Sequence, residues 1–257
     1  IQITVPNEFT PVGEYNIGIT AGIETTICHH TWVEGVNRMD LTLVSSQHAK
    51  DTFERSRYNK STSNGQSLED IFVKQPIEVL LEGADLTKYF PSKETNNFDL
   101  TQVKESFAYL FVGHWLPGDI GEDRKNVGLL IKTFYETFKN KKKTPALILK
   151  TSIAGCSYMD RDQTLTNIYL LHGEISDKEI NDLYNHKKVK AMVNFTKGEG
   201  FGRPLLEFSL TKKPIISTDW SGHTDFLDKK FTTLVSGELK NVHPSAQVKD
   251  MIMEESQ

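Results

Sequence analysis

The sequence predicts an α/β protein with two doubly wound parallel-sheet units in 257 residues. Three observations predict this class. Short apolar runs of strand type alternate with stretches of helical periodicity, the pattern of a parallel sheet covered by helices. The alternation occurs twice, over 1–90 and 106–240, with the polar, aperiodic stretch 91–105 between them, which reads as a linker. Glycine turns follow several of the runs, beyond the carboxyl ends of the strands, where such sheets bind ligands.

In the first unit, Ile1–Val5 reads as a strand ended by Pro6, and Tyr15–Thr20 as another. Thr31–Arg38 is helix-like and Leu41–Val44 is a compact strand. Ser45 or Ser46 can cap the helix Gln47–Arg57. Ser61–Gln66, with Asn64-Gly65, is a polar loop, and Pro76 precedes the strand Ile77–Leu81. In the second unit, Phe107–Val112 is a buried strand ended by Gly113. A helix over 126–139 puts Val127, Leu130, Ile131, Phe134 and Phe138 on one face. Ala146–Leu149 and Ile168–Leu171 are strands, and Ser176-Asp177-Lys178-Glu179 is a capping box opening a helix with Ile180, Leu183 and Tyr184. Ala191–Phe195 and Phe231–Val235 complete the strands. The tail 241–257, with Val248, Met251 and Ile252, is expected to be a helix. The expected boundaries are 1–100, 101–240 and 241–257.

Composition removes some function classes. Charged residues are 25% of the chain and the net charge is −4, so no basic field marks a nucleic-acid binder. Lys139–Lys143 and Lys187–Lys190 read as solvated helix ends, and they leave peripheral contact with an anionic membrane open. Two cysteines, Cys28 and Cys156, make no disulfide framework and fit a reducing, cytoplasmic setting. No apolar run approaches the ~20 residues of a membrane span. Cys28-His29-His30 does not read as a metal site, because adjacent side chains diverge and no other Cys/His set has ligand spacing. His29 and His30 remain weak candidates for contact with a sugar or acceptor, since imidazole donates or accepts.

The chemistry concentrates in 190–219. Ala191–Phe195 leads into Gly198, Gly200 and Gly202, and Pro204 stands where a first helical residue would. Lys212 and Lys213 suit that helix's negative end, and Pro214 stops it. The amides of Gly200–Arg203 then face outward at a helix N-terminus, a site for phosphate. Glu199 and Glu207 flank it, with Glu207 read into the first helical turn. Carboxylates repel phosphate but accept hydrogen bonds from vicinal diols. A phosphate site between two diol-binding acids describes a nucleotide-sugar. The spacing of the two acids alone would carry little, as either can be a solvated side chain. Upstream, Arg124 and Lys125 start the helix after Gly113, where cations oppose the helix dipole unless an anion lies between them.

The string Glu199-Gly200-Phe201-Gly202-Arg203-Pro204-Leu205-Leu206-Glu207, after an apolar strand and before Lys-Pro-Ile-Ile, resembles the donor-site signature of retaining glycosyltransferases of family 4. Gly113 to Lys125 is similar to the family's strand, glycine loop and basic pair, with a longer loop. Leu171–Ser176 looks like its base-pocket turn. The resemblance implies a GT-B-like fold of two Rossmann-like domains, the first incomplete because its opening strand and glycine loop have no counterpart here. It implies retaining hexosyl transfer from a nucleotide-diphosphate sugar to an unknown glycan, lipid or protein acceptor, with no cofactor or metal. Glu199, the one residue given a catalytic part, would hold the sugar hydroxyls, and Glu207 the ribose diol. Gly200, Phe201, Gly202 and Arg203 would line sugar and phosphate through their backbone. Lys125, with either Arg124 or His114 in the place of the family's Arg, would hold the diphosphate beside Gly113, and Ile175 the base. An epimerase on the same fold and a non-catalytic nucleotide-sugar or glycan-binding module are the rival readings.

Overall fold

The computed structural model describes residues 1–61, 67–115, 121–151, 167–253 and 255–257. The first unit is a parallel sheet in the order β1 (Gln2–Ile3), β2 (Ile17–Thr20), β3 (Leu41–Val44), β6 (Ile77–Val79). Helix α1 (His30–Val36) joins β2 to β3, and α2 (Gln47–Arg55) follows β3. Ser46 is the cap residue of α2, its Oγ accepting from the Ala49 amide at 3.2 Å. Trp32, Val33, Val36, Val44, Ala49 and Phe53 form the core between helices and sheet. Gly35 of α1 is required there, because a Cβ would lie 1.8 Å from the Pro6 carbonyl oxygen. The polar stretch after α2 holds an element the sequence did not announce. β4 (Tyr58–Ser61) and β5 (Ser67–Ile71) pair antiparallel, and most of the expected loop lies outside the described residues.

The second unit is a six-stranded parallel sheet ordered β12 (Thr232–Val235), β11 (Ile215–Thr218), β10 (Val189–Asn194), β7 (Ala108–Val112), β8 (Ala146–Thr151), β9 (Ile168–His172). Helix α3 (Val127–Phe138) covers one face with Val127, Leu130 and Phe134. Helices α4 (Asp177–Asn185) and α5 (Arg203–Ser209) cover the other with Leu183, Tyr184, Leu205 and Phe208. The capping box forms as expected: Ser176 Oγ accepts from the Glu179 amide at 3.3 Å, and Glu179 Oε2 accepts from the Ser176 amide at 2.8 Å. The chain runs outward from β7 through β8 to β9, then returns to place β10 on the other side of β7. The topological switch point, where such sheets bind ligands, therefore lies between β7 and β10.

Two expectations are corrected. The stretch 91–105 is not a free linker: Leu100 and Val103 are buried in the second core, and Lys188 Nζ donates to the Leu100 carbonyl at 2.9 Å and to that of Val103. Its polar residues had concealed two apolar anchors spaced three apart. The tail is not an α-helix among the described residues. It makes one 3-10 turn, Pro244–Ala246, and a Val248–Ile252 bridge, crossing back to pack Met251 and Ile252 on the first core. Pro244 and the left-handed Asp250 (φ 60°) break the helical spacing that Val248, Met251 and Ile252 suggested. No helix among the described residues is long and apolar enough to cross a membrane.

Candidate functional site

The carboxyl ends of β2 and β3 face the glycine loop that follows β10. Ser45, just past β3, donates through Oγ to the Gly200 carbonyl at 3.1 Å and to that of Ala21 at 3.2 Å. The Gln47 amide donates to Asp225 Oδ2 at 2.7 Å. Two loop glycines serve this contact. A Cβ on Gly198 would meet Glu24 Cβ at 2.6 Å, and one on Gly200 would meet the Ala21 carbonyl oxygen at 3.0 Å. Alternate glycines were expected to bare the backbone to a ligand. At 198 and 200 they also admit the first unit's backbone. Gly202 alone of the three has a left-handed φ, +95°, as the residue that starts α5.

The two loops at the switch point are tied together: the Lys197 amide donates to the Arg124 carbonyl at 2.8 Å. Across that tie, Lys125 Nζ donates to Glu199 Oε1 at 2.5 Å, with both residues only 8% exposed. Arg124 turns the other way and pairs with Glu24 of the first unit. The basic pair at the start of α3 is thus satisfied by carboxylates, one from each unit. The Glu199 amide donates to Ser221 Oγ at 2.8 Å, and its carbonyl accepts from the Gly222 amide at 2.9 Å. The amides of Gly200, Phe201 and Gly202 find no acceptor among the described residues. Phe201 is buried against Phe226, ring centroids 5.0 Å apart, so its backbone faces the site and its ring does not.

Glu207 falls in the second turn of α5, not the first, because Gly202 and Arg203 precede Pro204 at the helix start. That turn points it at the α4 side. Glu207 Oε2 accepts from the hydroxyl of fully buried Tyr184 at 3.2 Å, and Oε1 lies 3.5 Å from exposed Arg203 Nη2. Burial pushes the Glu207 carboxyl above its usual range, against the opposing pull of Arg203 and Tyr184. The Tyr89 hydroxyl, near Tyr184, donates to Asp177 Oδ1 at 3.1 Å, which brings the turn 173–177 with half-buried Ile175 beside Glu207. Lys212 and Lys213 lie past the end of α5. Lys213 Nζ instead donates to the Tyr184 and His186 carbonyls, at 2.6 and 3.0 Å, at the end of α4. Burial lowers that amine to about 8.

Around the glycine loop the structure thus places Glu207 with Tyr184 and Arg203, the open amides 200–202, and Lys125 with Glu199. Gly113 ends β7 with its amide donating to the Lys150 carbonyl at 3.1 Å. The two histidines make other contacts. His29 caps α1, its Nδ1 accepting from the Thr31 amide at 3.3 Å, and its Nε2 lies 3.8 Å from Asp250 of the tail; the His30 ring lies against it at a 38° tilt and is 3.8 Å from Glu34. Among the described residues no three His, Cys, Asp or Glu side chains gather as a metal site. Cys28 is buried beside Ser56, and its thiol is pushed up to about 12 by burial. Sequence reasoning missed Tyr184 and Ser221 as supports of the two acids. Tyr184 sits on an apolar helical stripe and gave no other signal.

Two parallel-sheet units whose strand carboxyl ends face each other across a loop-lined cleft make a GT-B-like fold, the first unit being the smaller. No family model and no curated protein matches the sequence. Solved structures match in fold. TarM of S. aureus superposes with a TM-score of 0.60 at 14% identity, over 86% of this chain and 40% of its own. HepE of Anabaena, solved with UDP and glucose, gives 0.57 at 17% identity over 80% and 52%. The pneumococcal O-GlcNAc transferase GtfA, solved with UDP and GlcNAc, gives 0.57 at 13% over 87% and 42%. The chain thus spans between 40% and 52% of the length of these three structures.

Proposed function

We propose that the chain carries the donor site of a glycosyltransferase that moves a hexosyl group from a nucleotide-diphosphate sugar to an acceptor with retention of anomeric configuration. The observation that carries this reading is the buried Lys125–Glu199 pair at the switch point, set beside amides with no acceptor among the described residues. Neighbours of the same fold hold UDP with glucose or GlcNAc, which supports a nucleotide-sugar here. The string Glu199–Glu207 resembles the donor-site signature of family 4, which supports this reading, and the assignments that follow call on no metal.

The base lies against the backbone of the turn with Ile175. Glu207 accepts from the ribose diol, held by Tyr184. The diphosphate lies on the amides of Gly200, Phe201 and Gly202 near Gly113, with Arg203 at the rim. Lys125 leaves Glu199 for the diphosphate, and Arg124 leaves Glu24, so that cations neutralise the charge that grows on the leaving group. Glu199, released, accepts from the hexose hydroxyls and orients the anomeric carbon. No side chain is assigned as a nucleophile.

The test is a binding panel of UDP, GDP, ADP and their sugars with the Glu207→Ala variant. Losing hydrogen bonds to a charged acceptor costs about 1.5–3 kcal/mol, so donor affinity should fall roughly ten- to a hundredfold with the fold intact. Unchanged affinity would refute the ribose role. Donor epimerised in the absence of acceptor would turn the assignment to an epimerase, and the anomeric configuration of a transferred sugar, read by NMR, decides retention.

A further inference from the structure

We propose that Lys150 reads the base of the donor, and that the site takes a nucleoside diphosphate whose base carries a carbonyl oxygen, not an amino group, on the edge away from the ribose. The inference rests on the donor reading above and adds to it the class of base. Lys150 lies near the carboxyl end of β8, in register between Val112 of β7 and Leu171 of β9. It shares the face of Ile148, Val112 and Leu171, which is the face that α4 and α5 cover with Tyr184 and Leu205. Its strand neighbours there are apolar, and Lys150 is only 6% exposed. A buried ammonium costs free energy unless it is paired. Among the described residues no carboxylate lies within ion-pair distance of Lys150, and its one hydrogen-bond partner is the Gly173 carbonyl. An ammonium has three donors, so two are unspent. Burial lowers the amine, and exposed Glu174 opposes that shift.

The Gly173 carbonyl belongs to the turn 173–177, against which the donor reading lays the base. Gly173 is left-handed (φ 106°) and half-buried, and a Cβ on it would meet no atom beyond its chain neighbours within 4 Å. The ammonium therefore lies at the edge of an open turn and not in a sealed core. What it asks of a ligand follows from charge. An ammonium only donates, so it needs an acceptor. A phosphate does not answer: Glu174 beside it repels an anion, and the cations and open amides for the diphosphate stand at the glycine loop. The ribose diol does not answer either, because it donates to Glu207. A neutral carbonyl oxygen on the base does. Uracil O4 and guanine O6 are such oxygens on the edge that points away from the ribose. Cytosine and adenine carry amino groups at those positions, which would set donor against donor.

The experiment is calorimetric titration with UDP against CDP, and with GDP against ADP, two pairs of equal ring size that differ at this position. In the pair whose ring size the cleft admits, the keto member should bind roughly tenfold or more tighter than the amino one, the worth of a hydrogen bond to a charged group. Lys150→Met keeps the length of the side chain and drops the charge. It should lose the preference by weakening the keto member, with the amino member bound as before. Lys150→Gln, whose amide donates or accepts, should narrow the ratio without abolishing binding. Melting curves check that both variants are folded. Equal affinity within each pair for the unaltered protein would overturn the assignment. So would a Lys150→Met protein that binds all four nucleotides more weakly by one factor, since Lys150 would then be a strut for the turn. If UDP and CDP bind alike and Glu207→Ala weakens both, the base assignment falls and the donor reading stands. If none of the four binds, both fall.

Discussion

Glu207 sits under opposed influences. Burial raises its carboxyl, while Arg203 and the Tyr184 hydroxyl favour the ionised form. A ribose diol donates to a carboxylate, so donor affinity should fall as the pH drops through this group's titration. Because the group is raised, the fall should start at a higher pH than an ordinary glutamate gives. Tyr184→Phe removes a donor to the charged form, so the inflection should climb further, and affinity near neutrality should drop by roughly fivefold, the value of about 1 kcal/mol for one such bond. Nucleotide affinity measured from pH 5 to 8 checks both. A variant with weaker binding but an unmoved inflection would reduce Tyr184 to packing. The acids and the basic pair stood out in the sequence by residue type and by the glycine string between the acids; that Lys125 meets Glu199 and Arg124 meets Glu24 was not legible, because neither pairing is local in the chain. Nor was Tyr184, because helical spacing reports burial and is silent about which neighbour a buried hydroxyl meets.

At the scale of elements, caps and close approaches decide how well the site is held. The Ser176 box fixes the first turn of α4 beside Ile175. Ser176→Ala should cost about 1 kcal/mol, lowering the melting midpoint by roughly 2–4 °C in calorimetry. Gly222 follows β11 and lies outside the donor motif, yet a Cβ there would sit 2.1 Å from the Gly200 carbonyl oxygen. Gly222→Ala should therefore push the glycine loop, costing about 1–3 kcal/mol of stability by overpacking and weakening donor binding together. Chemical denaturation and nucleotide titration on one sample check this; intact binding at reduced stability would mean the loop tolerates the shift. Periodicity gave α3 within a residue at each end, since one face of it is apolar, and the capping box gave the start of α4. Periodicity did not give the β4–β5 pair, whose strands lack apolar alternation, nor the tail, where three apolar residues at helical spacing were outvoted by Pro244 and by packing on the first core.

Over the whole molecule, the decisive fact is the strand order. Nothing local in a sequence says that β10 returns to the far side of β7, yet that return brings Lys125 and Glu199 together from positions 74 residues apart. The same assembly sets Arg124 against Glu24 of the first unit, and the proposed function gives it a second partner, the donor diphosphate. The pair is partly exposed, at 30% and 22% for the two side chains, so its value is that of a surface ion pair, about 0.2–1 kcal/mol. If Arg124 serves the donor, Glu24 is a competitor for it, and Glu24→Gln should tighten nucleoside diphosphate binding by up to roughly fivefold. The gain should shrink in high salt, which screens the exposed competitor and the incoming phosphate alike. If Arg124 is only a strut between the units, the same variant should leave affinity unchanged or weaken it by loosening the contact, and Arg124→Ala should then act like Glu24→Gln. Opposite signs for the two variants in calorimetric titrations would establish Arg124 as a ligand-facing group that one unit holds ready for the other.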